Sequence, residues 1–206
     1  NGVLVGAARI QPFIVTLGTM SIYRSLALYF ADAGLVSTGN ELYRTATSAT
    51  FCMISVPALV MVLLTVFFTV VMRSTRFGRH VCAVGSNERV ARYAAIPTGR
   101  IKFYTYLLAG LLAGLSAFLL GGRLSSISSS GAGLSYELDA IAAVIIGGTA
   151  MTGGRASVPG TLAGVLLLGI VSNVLDMWGI SVNLQGTVKG LVIIIAVLIQ
   201  YKRKDS

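Results

Sequence analysis

The sequence predicts an all-α fold, a polytopic membrane helix bundle of about six transmembrane or re-entrant segments. Three observations carry that expectation. Of the 206 residues, 55% are apolar and only 11% are charged, against about 25% charged in an ordinary soluble domain. Mean hydropathy is +0.82. Uncharged stretches of the length a helix needs to cross about 30 Å of hydrocarbon recur along the chain. This composition excludes a disordered chain, a basic nucleic-acid-binding module and most soluble enzymes. The net charge of +9 therefore reads as topology, with no nucleic acid as partner.

The elements follow in order. The chain opens on Asn1, not Met, with no basic n-region or small-residue cleavage site after it and an apolar stretch too short to span, as expected of a chain that starts partway through a longer one. The first span is expected at 12–31, with Arg24 its one charge. The second and third, 53–72 and 103–122, carry none. Residues 138–151 are apolar but short, which suits a helix buried by its neighbours or a re-entrant segment. The fifth span, 156–175, is uncharged, and Pro159 fits its first turn, where a missing N–H costs little. The sixth, 184–200, holds Lys189.

Basic residues orient these spans. Arg73, Arg76, Arg79, Arg89, Arg92, Arg100 and Lys102 stand against the single acid Glu88 between the second and third spans, and Lys202, Arg203 and Lys204 end the chain. Both places are expected in the cytoplasm, as are Arg9 and Arg155. The loop 32–52, with Asp32 and Glu41, falls outside. Gly110 and Gly114, Gly160 and Gly164, and Gly186 and Gly190 form G-x-x-x-G pairs, which predict close helix–helix approach in a compact bundle.

Catalytic chemistry is not expected. The stretch GGTAMTGGRAS lacks the Lys-Ser/Thr pair of a phosphate-binding loop, so ATP is not bound by a P-loop of this chain. The lone His80 reads as a solvated loop histidine. Cys52, near the outer face, and Cys82, in the cytoplasmic loop, read as small apolar fillers that cannot bridge. No cofactor and no metal site are expected.

Two places draw attention as functional sites. Residues 73–102 form one long basic loop between uncharged spans. Within it, Gly85-Ser86-Asn87-Glu88 predicts a turn leading into a short helix, capped by Ser86 or Asn87 and favoured by Glu88 at its positive end. Arg89 and Arg92 share a face of that helix, and Pro97 stops it by disfavouring helical geometry at Ile96. Such a helix suits either a coupling lever for a partner or a basic loop against anionic lipid. The second place is the outer mouth of the short fourth segment, where Tyr136, Glu137 and Asp139 follow a Ser/Gly run. These acids either cap the helix or face a path, where Glu137 or Asp139 pairs with Arg123 to hold a gate shut. Acids beside a tyrosine ring also suit a hydroxyl-rich ligand.

The stretch GRHVCAVGSNERVARYAAIPTGRIKFYTYLLAGLLAGLSAFLL resembles the permease subunits of bacterial ABC sugar importers of the ribose type. PFIVTLGTMSIYRSLAL, the run from YELDAIAAVIIGGTAM to VSNVLDMWGI, and VKGLVIIIAVL resemble other parts of the same family. The resemblance covers nearly the whole chain and implies one transmembrane permease domain over 1–206. It also implies a full chain of about ten bilayer-length spans, of which this is the C-terminal two-thirds. It implies residues 73–102 as the coupling loop, with Gly85, Ser86, Asn87, Glu88, Arg89, Arg92 and Ile96 docking on an ATP-binding cassette subunit. The other partners implied are an extracytoplasmic sugar-binding protein, a second permease subunit and the lipid bilayer. The implied place is the bacterial cytoplasmic (inner) membrane, crossed several times, with the C-terminus inside. The substrate implied is ribose or another monosaccharide, and the ATPase site lies on the partner. Two positions depart from the family: Ser125 to Ser130 replace a Gln-Pro-Thr-like turn, and Ala95 replaces a glycine before Ile96. The second suggests a change in how the coupling helix ends. An ion-coupled secondary transporter would instead use intramembrane charges such as Arg24, Asp139, Asp176 and Lys189, although Asp176 and Lys189 fall near the outer interface. A membrane assembly subunit without transport is the third reading.

Overall fold

The computed structural model describes residues 1–191 apart from 9, 38, 40, 52, 53, 125, 182, 183 and 189. Expectations for Arg9, Cys52, Ser125, Lys189, most of the sixth span and the basic residues Lys202, Arg203 and Lys204 lie outside the described residues. In chain order the elements are α1 (Gly2–Gly6), α2 (Pro12–Phe30), β1 (Leu35–Ser37), α3 (Glu41–Ser48), β2 (Thr50–Phe51), β3 (Ile54–Ser55), α4 (Val56–Ser74), α5 (Arg76–Ser86) and α6 (Glu88–Tyr93). They continue with α7 (Thr98–Arg123), β4 (Ser126–Ser128), α8 (Tyr136–Ile146) and α9 (Val158–Met177). Helical backbone returns at 184–188.

Among the described residues, the four helices α2, α4, α7 and α9 are long and apolar enough to cross a membrane, and they overlap the first, second, third and fifth expected spans. Their ends differ for local reasons. The second span begins at Val56 rather than 53, because Ile54–Ser55 pair with Thr50–Phe51 as a short hairpin. Pro57 then enters at the second helical position, where its fixed φ favours a start. The third span begins earlier, at Thr98, and runs for 26 residues, since Arg100 and Lys102 are good helix formers although polar. The fourth segment is shorter than 138–151: α8 has 11 residues, about 16 Å, half of a bilayer core. It stops at Gly147, and Gly148 follows at φ +82°.

The chain divides into two compact units, residues 1–64 with 88–133 and residues 65–87 with 134–206. In the first, α7 is gripped near both ends. At its start α1 approaches backbone to backbone: a Cβ on Gly6 would stand 2.7 Å from the Gly99 carbonyl oxygen. At its end α3 lies on Gly121 and Gly122. There Tyr43 meets the Phe118 ring edge-on with centroids 4.9 Å apart and donates a hydrogen bond to the Phe118 carbonyl. Thr47 is buried against Gly122, which has no room for a Cβ. Strands β1 and β4 pair antiparallel, Val36 opposite Ile127. Ser129 Oγ donates to the Gly34 carbonyl at 2.9 Å, and Arg24 Nη2 to the Ser130 carbonyl at 2.8 Å. The serine run is thus a strand and its anchored turn, because β1 offers its backbone groups a ladder.

In the second unit α8 packs along α9. A Cβ on Gly160 would overlap the Gly147 carbonyl, and one on Gly164 the Ala143 carbonyl. Ala142, Ala143 and Leu168 form the buried cluster beside them. Ser157 caps α9 by accepting from Gly160 N at 3.2 Å, and Pro159 sits in the first turn as expected. Only this G-x-x-x-G pair, of the three expected to bring helices together, does so within the described residues. Gly110, Gly114, Gly186 and Gly190 have no other atom within 4 Å of a built Cβ.

Candidate coupling surface

The basic loop between α4 and α7 holds two helices, not the single one expected. The C-terminal end of α4 leads directly into α5. Thr75 Oγ1 donates to the Val71 carbonyl at 2.7 Å and accepts from Gly78 N at 3.3 Å, ending one helix and capping the next. Phe77, Val81 and Val84, spaced four and three apart, then supply the half-buried face of α5. Gly85 and Ser86 therefore close α5 instead of forming a turn. Asn87, extended at φ −156° and ψ 105°, is the joint, and its N–H donates to the Ala83 carbonyl at 3.1 Å. His80 and Cys82 are half-buried on α5, so the reading of His80 as a solvated loop residue is corrected by the helix that carries it.

Glu88 opens α6 and points back into the chain. Its Oε2 accepts from Lys102 Nζ at 2.7 Å and its Oε1 from Arg92 Nη2 at 3.0 Å. The hydrogen bond from Lys102, with Arg92 beside it, holds the carboxyl below its ordinary pKa against a modest opposing effect of burial. This half-exposed network adds little stability, but it fixes α6 on the first turns of α7. Ala91 is buried beneath the helix, while Arg89, Val90 and Tyr93 face outward, Tyr93 with 91% of its surface exposed. Of the three charges expected to face a partner, Glu88 and Arg92 are paired with each other, and Arg89 and Arg92 are exposed. Sequence reasoning counts Lys102 only among the orienting basic residues and assigns neither it nor Tyr93 to the site. Lys102 lies 14 residues beyond Glu88, a pairing that helix spacing does not signal.

The end of α6 shows what Ala95 changes. Ile96 N donates to the Ala91 carbonyl and Ala95 N to the Arg92 carbonyl, each at 3.1 Å. These two bonds make a Schellman motif, whose pivot is Ala95 in the left-handed region at φ 57°. Alanine there sustains strain that glycine would not. Ala95→Gly is expected to stabilise the helix end by about 0.5–1 kcal/mol, read as slower amide exchange at Ala94 to Ile96. Unchanged or faster exchange would contradict that.

At the other candidate site, Tyr136 and Glu137 are exposed and Asp139 is half-buried, all in the first turn of α8. Ser135, the residue before the helix, lies at φ 65° and its side chain makes no cap. Acidic side chains in this turn are favoured by the helix dipole. Of the charges proposed for ion coupling, Arg24 is bound to the Ser130 carbonyl, and Asp176 Oδ1 accepts from Gln185 Nε2 at 2.7 Å.

Comparison with known proteins shows which family the sequence resembles. The chain is 44% identical over 206 residues to the ribose import permease protein RbsC of Bacillus subtilis, covering 98% of this chain and 63% of that protein. RbsC of Escherichia coli K12 is 37% identical, over 99% of this chain and 64% of the relative. The L-arabinose transport system permease protein AraH of Escherichia coli K12 is 32% identical, over 99% and 62%. The chain thus spans less than two thirds of the length of these relatives. No solved structure matches. Residues 1–197 match the family described as the permease component of the branched-chain amino acid transport system, and the chain belongs to that permease family.

Proposed function

We propose that this chain forms part of the translocation path of an ATP-driven importer for a monosaccharide of the pentose type. The supporting observation is its agreement with ribose and arabinose permeases along nearly all of its length. In this reading α5 and α6 lie on the cytoplasmic side of a bacterial inner membrane, with the C-terminus on that side too. Gly85, Ser86, Asn87, Arg89, Arg92 and Ile96 dock on a separate ATP-binding cassette subunit, and Glu88 positions the docking helix through Lys102. An extracytoplasmic sugar-binding protein delivers substrate, and a second permease subunit completes the path. Tyr136, Glu137 and Asp139 stand at the outer mouth as gate or path residues.

The test is uptake of labelled D-ribose into proteoliposomes holding the full-length permease, its ATP-binding subunit and its binding protein. Uptake is expected to require ATP, to survive a protonophore, and to stop when the phosphate-binding lysine of the ATP-binding subunit is replaced. Uptake driven by an ion gradient without ATP would overturn the reading. In the same vesicles, Glu137→Gln and Asp139→Asn preserve much of the capping geometry. A gate role predicts normal assembly with impaired uptake or with ATP hydrolysis in the absence of the binding protein. Parental transport in both variants would assign these acids to helix capping alone.

A further inference from the structure

We propose that the Gly153–Gly154 turn, between α8 and α9, is a positioning element that passes displacement of the α5–α6 loop to the α8–α9 hairpin. The proposal rests on reading that loop as the one coupled to ATP. Within the second unit, the end of α5 meets this turn backbone against backbone. The Gly85 carbonyl occupies the place of a Cβ on Gly153, and a Cβ on Gly154 would stand 3.3 Å from Ser86 Cβ. No long side chain separates the two segments, so the contact has little slack, as expected of close-packed groups.

The turn is held in shape on its own side. Gly153 and Gly154 lie at φ +80° and +84°, conformations that glycine adopts without strain. Gly153 N donates to the Ala150 carbonyl at 3.0 Å, Ala150 N to the Arg155 carbonyl at 3.2 Å, and Ser157 N to Thr149 Oγ1 at 3.1 Å. Beyond it, the interlock of Gly147 with Gly160 and of Ala143 with Gly164 binds α8 to α9. A push on Gly85 or Ser86 therefore either opens a gap at the turn or moves the hairpin as a body. Charge places both partners on one side of the membrane, since Arg155 and the basic loop share the expected cytoplasmic face.

Gly148 provides an internal control. It too has positive φ, +82°, yet no atom lies within 4 Å of its built Cβ. Gly148→Ala adds backbone strain alone, and Gly153→Ala adds similar strain together with overlap on the Gly85 carbonyl. In proteoliposomes carrying the full-length permease, its ATP-binding subunit and its binding protein, D-ribose imported per ATP hydrolysed is expected to fall about tenfold for Gly153→Ala, and no more than about twofold for Gly148→Ala. Equal ratios for the two variants would overturn the proposal.

A second pair of variants covers the case in which Gly153→Ala does not assemble. Ser86→Cys with Gly154→Cys, in a chain with Cys52 and Cys82 replaced by alanine, places the Cβ atoms a few tenths short of the roughly 3.5–4.5 Å of a disulfide. Oxidation is expected to form this bridge and to lower the import ratio about tenfold relative to the same variant kept reduced with dithiothreitol. Absence of the bridge, or a bridge without change in the ratio, would overturn the proposal. A parental complex that imports no ribose with ATP would sink the proposed function and this link together. A parental complex that imports normally, with both tests negative, sinks the link alone.

Discussion

Gly164→Ala is expected to destabilise the protein, while the same substitution five residues later, Gly169→Ala, is expected to leave it unchanged or firmer. Both glycines lie inside α9, where alanine is the better helix former by about 1 kcal/mol. Helix propensity therefore predicts a gain at both positions. Packing separates them. A Cβ on Gly164 overlaps the Ala143 carbonyl of α8, whereas one on Gly169 has no other atom within 4 Å. Because the obstacle at Gly164 is main chain, α8 and α9 must move apart, opening the cluster of Ala142, Ala143 and Leu168. Overpacking of this kind costs about 1–3 kcal/mol, enough to outweigh the propensity gain. Thermal unfolding in detergent, followed by loss of monodisperse protein, should rank Gly164→Ala below the parent and Gly169→Ala level with it or above. Equal midpoints for the two variants would show that the α8–α9 contact is loose and that the glycine pair has no packing role.

The same contrast explains what was legible in the sequence. A span of bilayer length announces itself through a long apolar run with few or no charges, so α4, α7 and α9, and α2 despite Arg24, could be read directly. Spacing alone, however, cannot tell which glycine pair meets a neighbour. Gly160 and Gly164 do, while Gly110 and Gly114 have the same spacing and no contact within this chain. Conversely Gly2 and Gly6 bring α1 onto α7 through the same four-residue interval. They escaped notice because their helix is only five residues long and offers no apolar span to draw attention to it.

The basic loop between α4 and α7 was legible in location and incomplete in detail. Its basic charge marked the loop, and Glu88 marked the start of α6. Helix α5 was missed because its cap, Thr75, sits among arginines that read as an ordinary cytoplasmic loop, and its apolar face is only a few residues long. The partner of Glu88 was missed for another reason. Lys102 belongs to the next helix, and only the Schellman turn at Ala95, followed by Pro97, swings α7 back to meet it. Left-handed alanine is an arrangement that residue preference argues against; the turn exists because its two hydrogen bonds and the burial of Ala91 over-determine it.

Glu88→Lys is the substitution expected to disrupt this loop most. It sets a third cation against Arg92 and Lys102, which now share one carboxylate at 3.0 and 2.7 Å. Repulsion should lift α6 from α7 while leaving the spans untouched, since α6 lies outside them. Uptake of D-ribose is then expected to fall by about fivefold to thirtyfold, with normal membrane insertion, because about 1–2 kcal/mol of lost positioning corresponds to that range. Adding Lys102→Glu restores an opposite pair across the same gap and should recover much of the lost uptake. A double-mutant cycle would thus show strong coupling between 88 and 102. The pH dependence follows from the direction of the shift. The carboxyl of Glu88 is held below its ordinary value near 4.5 by Lys102 and Arg92. Its contribution is therefore complete above that value and lost only as pH falls through the lower folded one. Glu88→Gln should accordingly lose the tie at neutral pH, with faster amide exchange at Arg89 to Tyr93 than in the parent. Parental uptake and parental exchange in Glu88→Lys would show that α6 is held by Ala91 and its Schellman turn alone, and that Glu88 does not position it.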